Sequence, residues 1–131
     1  MPLTPKKYKV ISVKKINSDV KLFRIKSNMN PRPGNFFETS ILGVGEAPLA
    51  SCSYNKNYLD LLVRNAGGVT AKMFELKKND VVFIRGAYGK GFPLEELKGK
   101  DLILVAGGTG IAPITSLIEY VDHGSLHSFI H

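Results

Sequence analysis

The sequence predicts a mainly-β protein. The expected architecture is a six-stranded antiparallel Greek-key barrel with one capping helix, followed by the first strand–turn–helix of an α/β unit. Three observations carry this. Short alternating segments recur through residues 7–85, separated by turns rich in Gly, Pro, Asn and Asp. One helix-compatible stretch, AKMFELKK at 71–78, interrupts them before the last strand. From residue 101 the pattern changes to DLILVAGGTGIAP, an apolar run passing through glycines into a helix-like segment.

Residues 1–5 form a short arm. Residues 7–16 and 20–27 read as two strands. Asn17-Ser18-Asp19 joins them, a turn because short polar side chains bond their own backbone. Residues 28–34, NMNPRPG, make a loop. Residues 36–42 read as a third strand, 43–48 as a turn, 49–54 as a fourth strand and 58–64 as a fifth. Gly67-Gly68-Val69-Thr70 precedes the helix, in which Met73, Phe74 and Leu76 share a face. Asn79-Asp80 closes it, and residues 81–85 are the sixth strand. Residues 86–91, GAYGKG, are a glycine-rich connector, and 93–100 a polar linker. Residues 102–105 are apolar at successive positions, as in a strand buried on both faces. The helix from 112 to about 121 carries Ile114, Leu117, Ile118 and Val121. The chain thus divides into a barrel at 1–98 and the start of a second unit at 99–131.

A length of 131 residues suits one ordinary domain, and 44% hydrophobic with 22% charged residues is a globular composition. No apolar run approaches membrane-spanning length, and the basic N-terminus lacks the apolar segment of a signal peptide, so a cytoplasmic location is expected. The single cysteine, Cys52, excludes an internal disulfide and an all-cysteine metal or iron–sulfur site in this chain. It reads as a small buried hydrophobe. His123, His127 and His131 recur every four residues, but Gly124 and Ser125 interrupt any helix there, and no metal site is expected.

The net charge of +7 is uneven: residues 1–32 hold nine Lys/Arg against one acid, Asp19. These lysines alternate with apolar residues, as on the solvated face of outer strands. An acidic protein partner or a phosphate-bearing ligand is the other reading. Nucleic acid is not expected, because the aromatics form no stacking stripe between the basic residues.

Four motifs stand in order: GEAPLASCS at 45–53, VRNAGGVT at 63–70, GAYGKGF at 86–92 and AGGTGIAP at 106–113. In this order and spacing the chain resembles the ferredoxin–NADP reductase superfamily. Within it, the resemblance is to FAD/NAD(P)H electron-transfer subunits of cytoplasmic sulfhydrogenase, anaerobic sulfite reductase and dihydroorotate dehydrogenase. PGNF at 33–36, GEAP at 45–48 and GKGF at 89–92 fit the hydrogenase gamma subunit best. The likeness covers about residues 6–121. It implies a barrel that binds FAD and a following α/β domain that binds NAD(P)H. It also implies a redox partner subunit whose iron–sulfur cluster lies outside this chain. Residues 99–131 then hold only the opening of the NAD(P)-binding domain. Complete NAD(P)H oxidoreduction is not expected of them, and with their apolar faces uncovered, residues 101–131 are expected either to self-associate or to be disordered.

The resemblance also assigns positions. Arg64 with Gly67, Gly68, Val69 and Thr70 would meet the flavin pyrophosphate, because N–H groups ahead of a helix and a guanidinium both suit an anion. On the residues alone, these glycines equally serve turn geometry and Arg64 equally serves as a surface residue. Gly107, Gly108, Thr109 and Gly110 would be the phosphate turn for the nicotinamide nucleotide. Pro48, Leu49, Ala50 and Ser51 would lie along the flavin ring, and Tyr88 would cover it. Relatives often carry Arg-x-Tyr-Ser on that strand. Here Ala47, Leu49 and Ala50 replace the arginine, tyrosine and serine; either Ser51 or a backbone N–H takes the hydroxyl's part, or flavin reactivity is tuned differently. The same three residues suit a second reading, a non-catalytic barrel that docks a redox partner.

Overall fold

A computed structural model describes residues 4–121. His123, His127 and His131 lie outside the described residues. Six strands form one antiparallel sheet: β1 (Lys6–Lys15), β2 (Val20–Lys26), β3 (Phe36–Ile41), β4 (Gly45–Ala50), β5 (Tyr58–Arg64) and β6 (Val81–Tyr88). Their order in space is β4-β3-β6-β1-β2-β5. Helix α1 (Gly68–Met73) lies between β5 and β6, and the short α2 (Leu94–Leu97) follows β6. A 3-10 turn at Gly108–Gly110 leads into α3 (Ile111–Tyr120).

Alternation along the strands builds the core. Phe23 stands opposite Leu61, and Ile25 opposite Leu59, so apolar side chains meet across the β2–β5 ladder. These four are fully buried, as are Val10, Phe37, Val63 and Val82. Each large side chain so buried is worth roughly 1.5–3 kcal/mol. Helix α1 packs against β3 and β4 and drives Val69 and Met73 into the same cluster. An extra residue in β1 between Val10 and Ser12 makes a bulge, so the strand's first half pairs with β6 and its second half with β2.

The two ends of the strand order meet at one place. An isolated bridge joins Ser51 to Leu61, and the Cys52 N–H donates to the Asp60 carbonyl at 2.9 Å. The Asp60 N–H donates to Ser53 Oγ at 2.9 Å, while Ser51 Oγ donates to the Ser53 carbonyl at 3.0 Å. Arg24 forks onto the buried Asp60 carboxylate at 2.9 and 3.0 Å, and its guanidinium lies 3.8 Å from the Tyr58 ring centroid. Serine side chains and one buried aspartate thus close the barrel where no continuous ladder runs.

Apart from one-residue shifts in β1, β2 and β3 and the short α2 inside the expected linker at 93–100, four differences from expectation stand out. The third turn is tighter than the sequence predicts, because the Val44 N–H bonds the Ile41 carbonyl at 3.0 Å; β4 therefore starts at Gly45 and ends at Ala50, where its neighbour changes. Pro48 is tolerated inside β4 because this strand is an edge of the ladder. Helix α1 begins at Gly68 and stops at Met73, and i→i−3 bonds from Glu75 and Leu76 tighten its exit. Strand β6 runs three residues further, to Tyr88, through a register shift against β3 at Gly86 and Ala87.

The fourth difference is the expected strand at 102–105. These residues form no ladder with any described residue, and Ile103 and Val105 are 90% and 84% exposed. A strand of this type exists only beside neighbours, and the described residues contain none for it. The helix after it does find cover. In α3, Ala112 and Leu117 are buried, the Tyr54 N–H donates to Glu119 Oε2 at 2.6 Å, and Tyr54 and Tyr120 stack edge-on at 5.0 Å.

Candidate functional site

Strand β4 and the start of α1 are neighbours. A Cβ placed on Gly45 would lie 3.6 Å from a Val69 methyl group. Along β4, Ala47 and Leu49 pack toward the core cluster, Pro48 is exposed and Ala50 is half-buried. The inward face of this strand is therefore small and apolar. Ser51 is 2% exposed, and its hydroxyl is committed to Ser53 in the barrel closure. It offers no free proton to a ligand on β4.

Beyond the far end of β5, the chain turns through Gly67 and Gly68, both at positive φ (87° and 56°). Thr70 orders this turn: its hydroxyl accepts from the Ala66 N–H at 2.9 Å and donates to the Gly67 carbonyl at 2.8 Å. The hydroxyl shapes the turn from within, Asn65 Oδ1 accepts from the Gly67 N–H at 3.3 Å, and the N–H groups of Gly68, Val69 and Thr70 remain. Nothing lies within 4 Å of a Cβ placed on Gly67 or Gly68. Arg64, the last residue of β5, is 65% exposed and has one ionic partner among the described residues, Asp19 at 3.5 Å. Turn, arginine and β4 are thus brought to one end of the barrel. The second glycine turn, Gly107 to Gly110, lies against β5, with a bond from the Gly110 N–H to the Gly107 carbonyl at 3.0 Å. Thr109 in it is exposed.

Tyr88 lies at the other end of the sheet. Phe36 pairs with Ala50 on one side and Tyr88 on the other, and the two rings are 5.7 Å apart. Phe36 is 37% exposed, a half-open ring in line with the β4 terminus that the sequence reading did not single out. The reading also passed over an ionic pair beside it. Arg85 forks onto Glu46 at 2.9 and 2.8 Å and donates to Tyr88 Oη at 3.0 Å; Ser40 Oγ donates to Glu46 Oε2 at 3.0 Å. The Arg85 and Ser40 hydrogen bonds hold the Glu46 carboxyl down at about 2. Burial pushes the Cys52 thiol up to about 12, so it stays protonated and inert, as expected of a small buried residue. No cluster of metal-ligating side chains occurs among the described residues.

A closed antiparallel barrel, an end helix preceded by a glycine turn, and a second glycine turn laid on β5 make a reductase-like barrel fold. No protein-family model matches the chain. It is 38% identical over 128 residues to the gamma subunit of sulfhydrogenase 1 from Pyrococcus furiosus, covering 91% of this chain and 44% of that relative. It is also 38% identical over 105 residues to a probable dihydroorotate dehydrogenase B (NAD(+)) electron transfer subunit from the same organism, covering 80% and 40%. A ferredoxin NADP+ reductase from Neisseria gonorrhoeae, solved with bound FAD and NADP, shares the fold with a TM-score of 0.75 at 21% identity, over 98% of this chain and 56% of that one. The chain is a homologue of these gamma and electron-transfer subunits. It spans less than half the length of these curated relatives.

The Glu46 carboxyl has a pH signature. Its pKa in the folded protein is depressed, so its stabilising effect is present above the ordinary carboxylate range and is lost as pH falls toward about 2. Thermal melting of Glu46→Gln is expected to be less sensitive to acidification across that window than melting of the parent. Parallel melting curves for the two proteins contradict this.

Proposed function

We propose that this chain is the FAD-binding module of an NAD(P)H-linked electron-transfer subunit, passing electrons between nicotinamide and an iron–sulfur partner subunit. The observation that carries the reading is the 38% identity to a sulfhydrogenase gamma subunit across 91% of the chain, on a barrel of the reductase fold. On this reading, residues 1–98 are the flavin domain, 99–131 open the NAD(P)-binding domain, and the protein works in the cytoplasm.

The donor set fits the cofactor. Arg64 is exposed, and the open turn at Gly67, Gly68, Val69 and Thr70 has room for an anion beside it. Together they suit a pyrophosphate, with a charge-assisted fork from the arginine and backbone N–H groups from the turn. Ala47 and Leu49 face the core, so the outward side of β4, with Pro48 exposed and Ala50 half-buried, is the apolar strip that suits a flat ring. Ala50 has no hydroxyl and that of Ser51 is engaged, so polar contacts to the ring from Pro48, Leu49, Ala50 and Ser51 come from the backbone. Tyr88 and Phe36 form the aromatic border at the end of β4. When bound, flavin supplies the step between two-electron and one-electron transfer; the chain's residues position it and set its surroundings. Gly107, Gly108, Thr109 and Gly110 bind phosphate of the nicotinamide nucleotide on this reading. The apolar lining without an aromatic ring or free hydroxyl is also what a barrel that docks a redox partner without cofactor chemistry presents.

FAD is expected to bind more tightly than FMN, because the site holds two phosphates. Arg64→Ala should weaken FAD by roughly 1.5–3 kcal/mol, the range for a hydrogen bond to a charged group. Fluorescence titration with both flavins measures this; equal affinities, or an unchanged variant, contradict it.

The extended residues 101–107 are the surface we propose for self-association, since Ile103 and Val105 are exposed side by side on an unpaired backbone. Light scattering is expected to show a concentration-dependent oligomer that Ile103→Asp with Val105→Asp converts to monomer. A parent chain that is monomeric throughout removes the idea.

A further inference from the structure

The excess positive charge of the N-terminal segment is not absorbed by the flavin reading. We propose that part of it builds a second anion site, specific for a phosphoryl group, at the end of the barrel away from Arg64. A cavity of about 360 Å³ opens there, lined by Tyr8, Lys26, Ser27, Asn28, Lys56 and Asn57. That volume is within the range of small-molecule sites. Lys26 stands opposite Tyr58 at one end of the β2–β5 ladder, and Arg64 stands opposite Val20 at the other. The length of the ladder, roughly 20 Å at about 3.4 Å per residue, separates the two. None of the lining residues belongs to β4, to either glycine turn or to the Tyr88 border.

The chemistry of the lining is one-sided. It contains two ammonium groups and no carboxylate. Neither Lys26 nor Lys56 enters an ion pair among the described residues. Ser27 is 8% exposed, and its Oγ accepts from the Met29 N–H at 3.0 Å. Its own proton reaches no acceptor among the described residues. The Tyr8 phenol has no hydrogen-bond partner among them either, and burial raises its pKa, so it remains a donor. Asn28 and Asn57 add amide N–H groups. The cavity walls are tied together by the Ser27 N–H to the Asn57 carbonyl at 3.3 Å, and Asn55 Oδ1 takes the Asn57 N–H at 2.8 Å.

Two cations, two hydroxyl donors and two amides exceed what the two oxygens of a carboxylate can satisfy. A phosphoryl group carries nearly two negative charges at neutral pH and three strong acceptor oxygens, and lysine recognises it as a point charge. The set therefore suits a phosphoryl group better than a carboxylate. Free phosphate and a phosphomonoester both present that chemistry.

The test is a ¹H–¹⁵N NMR titration of the full chain with inorganic phosphate, against chloride at matched ionic strength. Saturable shifts are expected at the amides of residues 26–28 and 56–57 with phosphate alone. The Lys26→Gln, Lys56→Gln double variant should lose at least about tenfold in affinity. It should melt and bind FAD like the parent, which separates this site from the flavin reading. Glycerol 3-phosphate in place of phosphate distinguishes the sources. Tighter binding of the ester assigns a phosphomonoester; equal or weaker binding assigns free phosphate. Shifts that chloride reproduces, or a double variant with unchanged phosphate affinity, overturn the proposal.

Discussion

Closure of the barrel at Asp60 holds the two ends of the sheet together. Across the gap between β4 and β5 its carbonyl accepts from Cys52 and its N–H donates to Ser53, while its carboxylate is held by Arg24 on the adjacent strand β2. The residue is 5% exposed, and a carboxylate at that depth is costly unless its charge is paired and its oxygens are bonded. Arg24 does both from the neighbouring strand, while its half-exposed guanidinium keeps part of its hydration and rests on Tyr58. Without these contacts, six strands in the order β4-β3-β6-β1-β2-β5 are an open sheet with two edges.

Closure also fixes what can face what. It brings the end of β4 against the middle of β5, and β5 in turn carries Arg64 at its exit and receives the second glycine turn on its flank. The apolar face of β4, the α1 turn and the Gly107 to Gly110 turn are therefore arranged about one strand. The α3 clasp adds to this, since Tyr54 immediately follows the closing serines and holds both Glu119 and Tyr120. The segment before α3 leaves Ile103 and Val105 in solvent.

Much of this was legible in the sequence because alternation and turn chemistry are local. β5 was read at its observed boundaries, since YLDLLVR is bounded by Asn and Lys on one side and glycines on the other. The motif order gave the class and the position of both glycine turns. What escaped was non-local. Asp60 was a single acid in an apolar strand, and that anomaly was the available signal for the closure. The Glu46–Arg85 pair and the Phe36–Tyr88 row join residues 39 and 52 positions apart, and only strand order brings them together. The residues at 102–105 had the apolar run of a buried strand, but a run specifies a strand only when neighbours exist to pair with it. The local backbone bonds made by the Thr70 and Ser51 hydroxyls were likewise not legible, because a hydroxyl's partner is not set by residue type.

On the proposed function, the closing strands and the α1 turn form one cofactor site. Hydrogen–deuterium exchange of the full chain, with and without saturating FAD, reads this out. Exchange is expected to slow together at the amides of Cys52, Asp60 and Leu61 and at residues 67–70. Flavin bound with those amides exchanging at their original rates contradicts it.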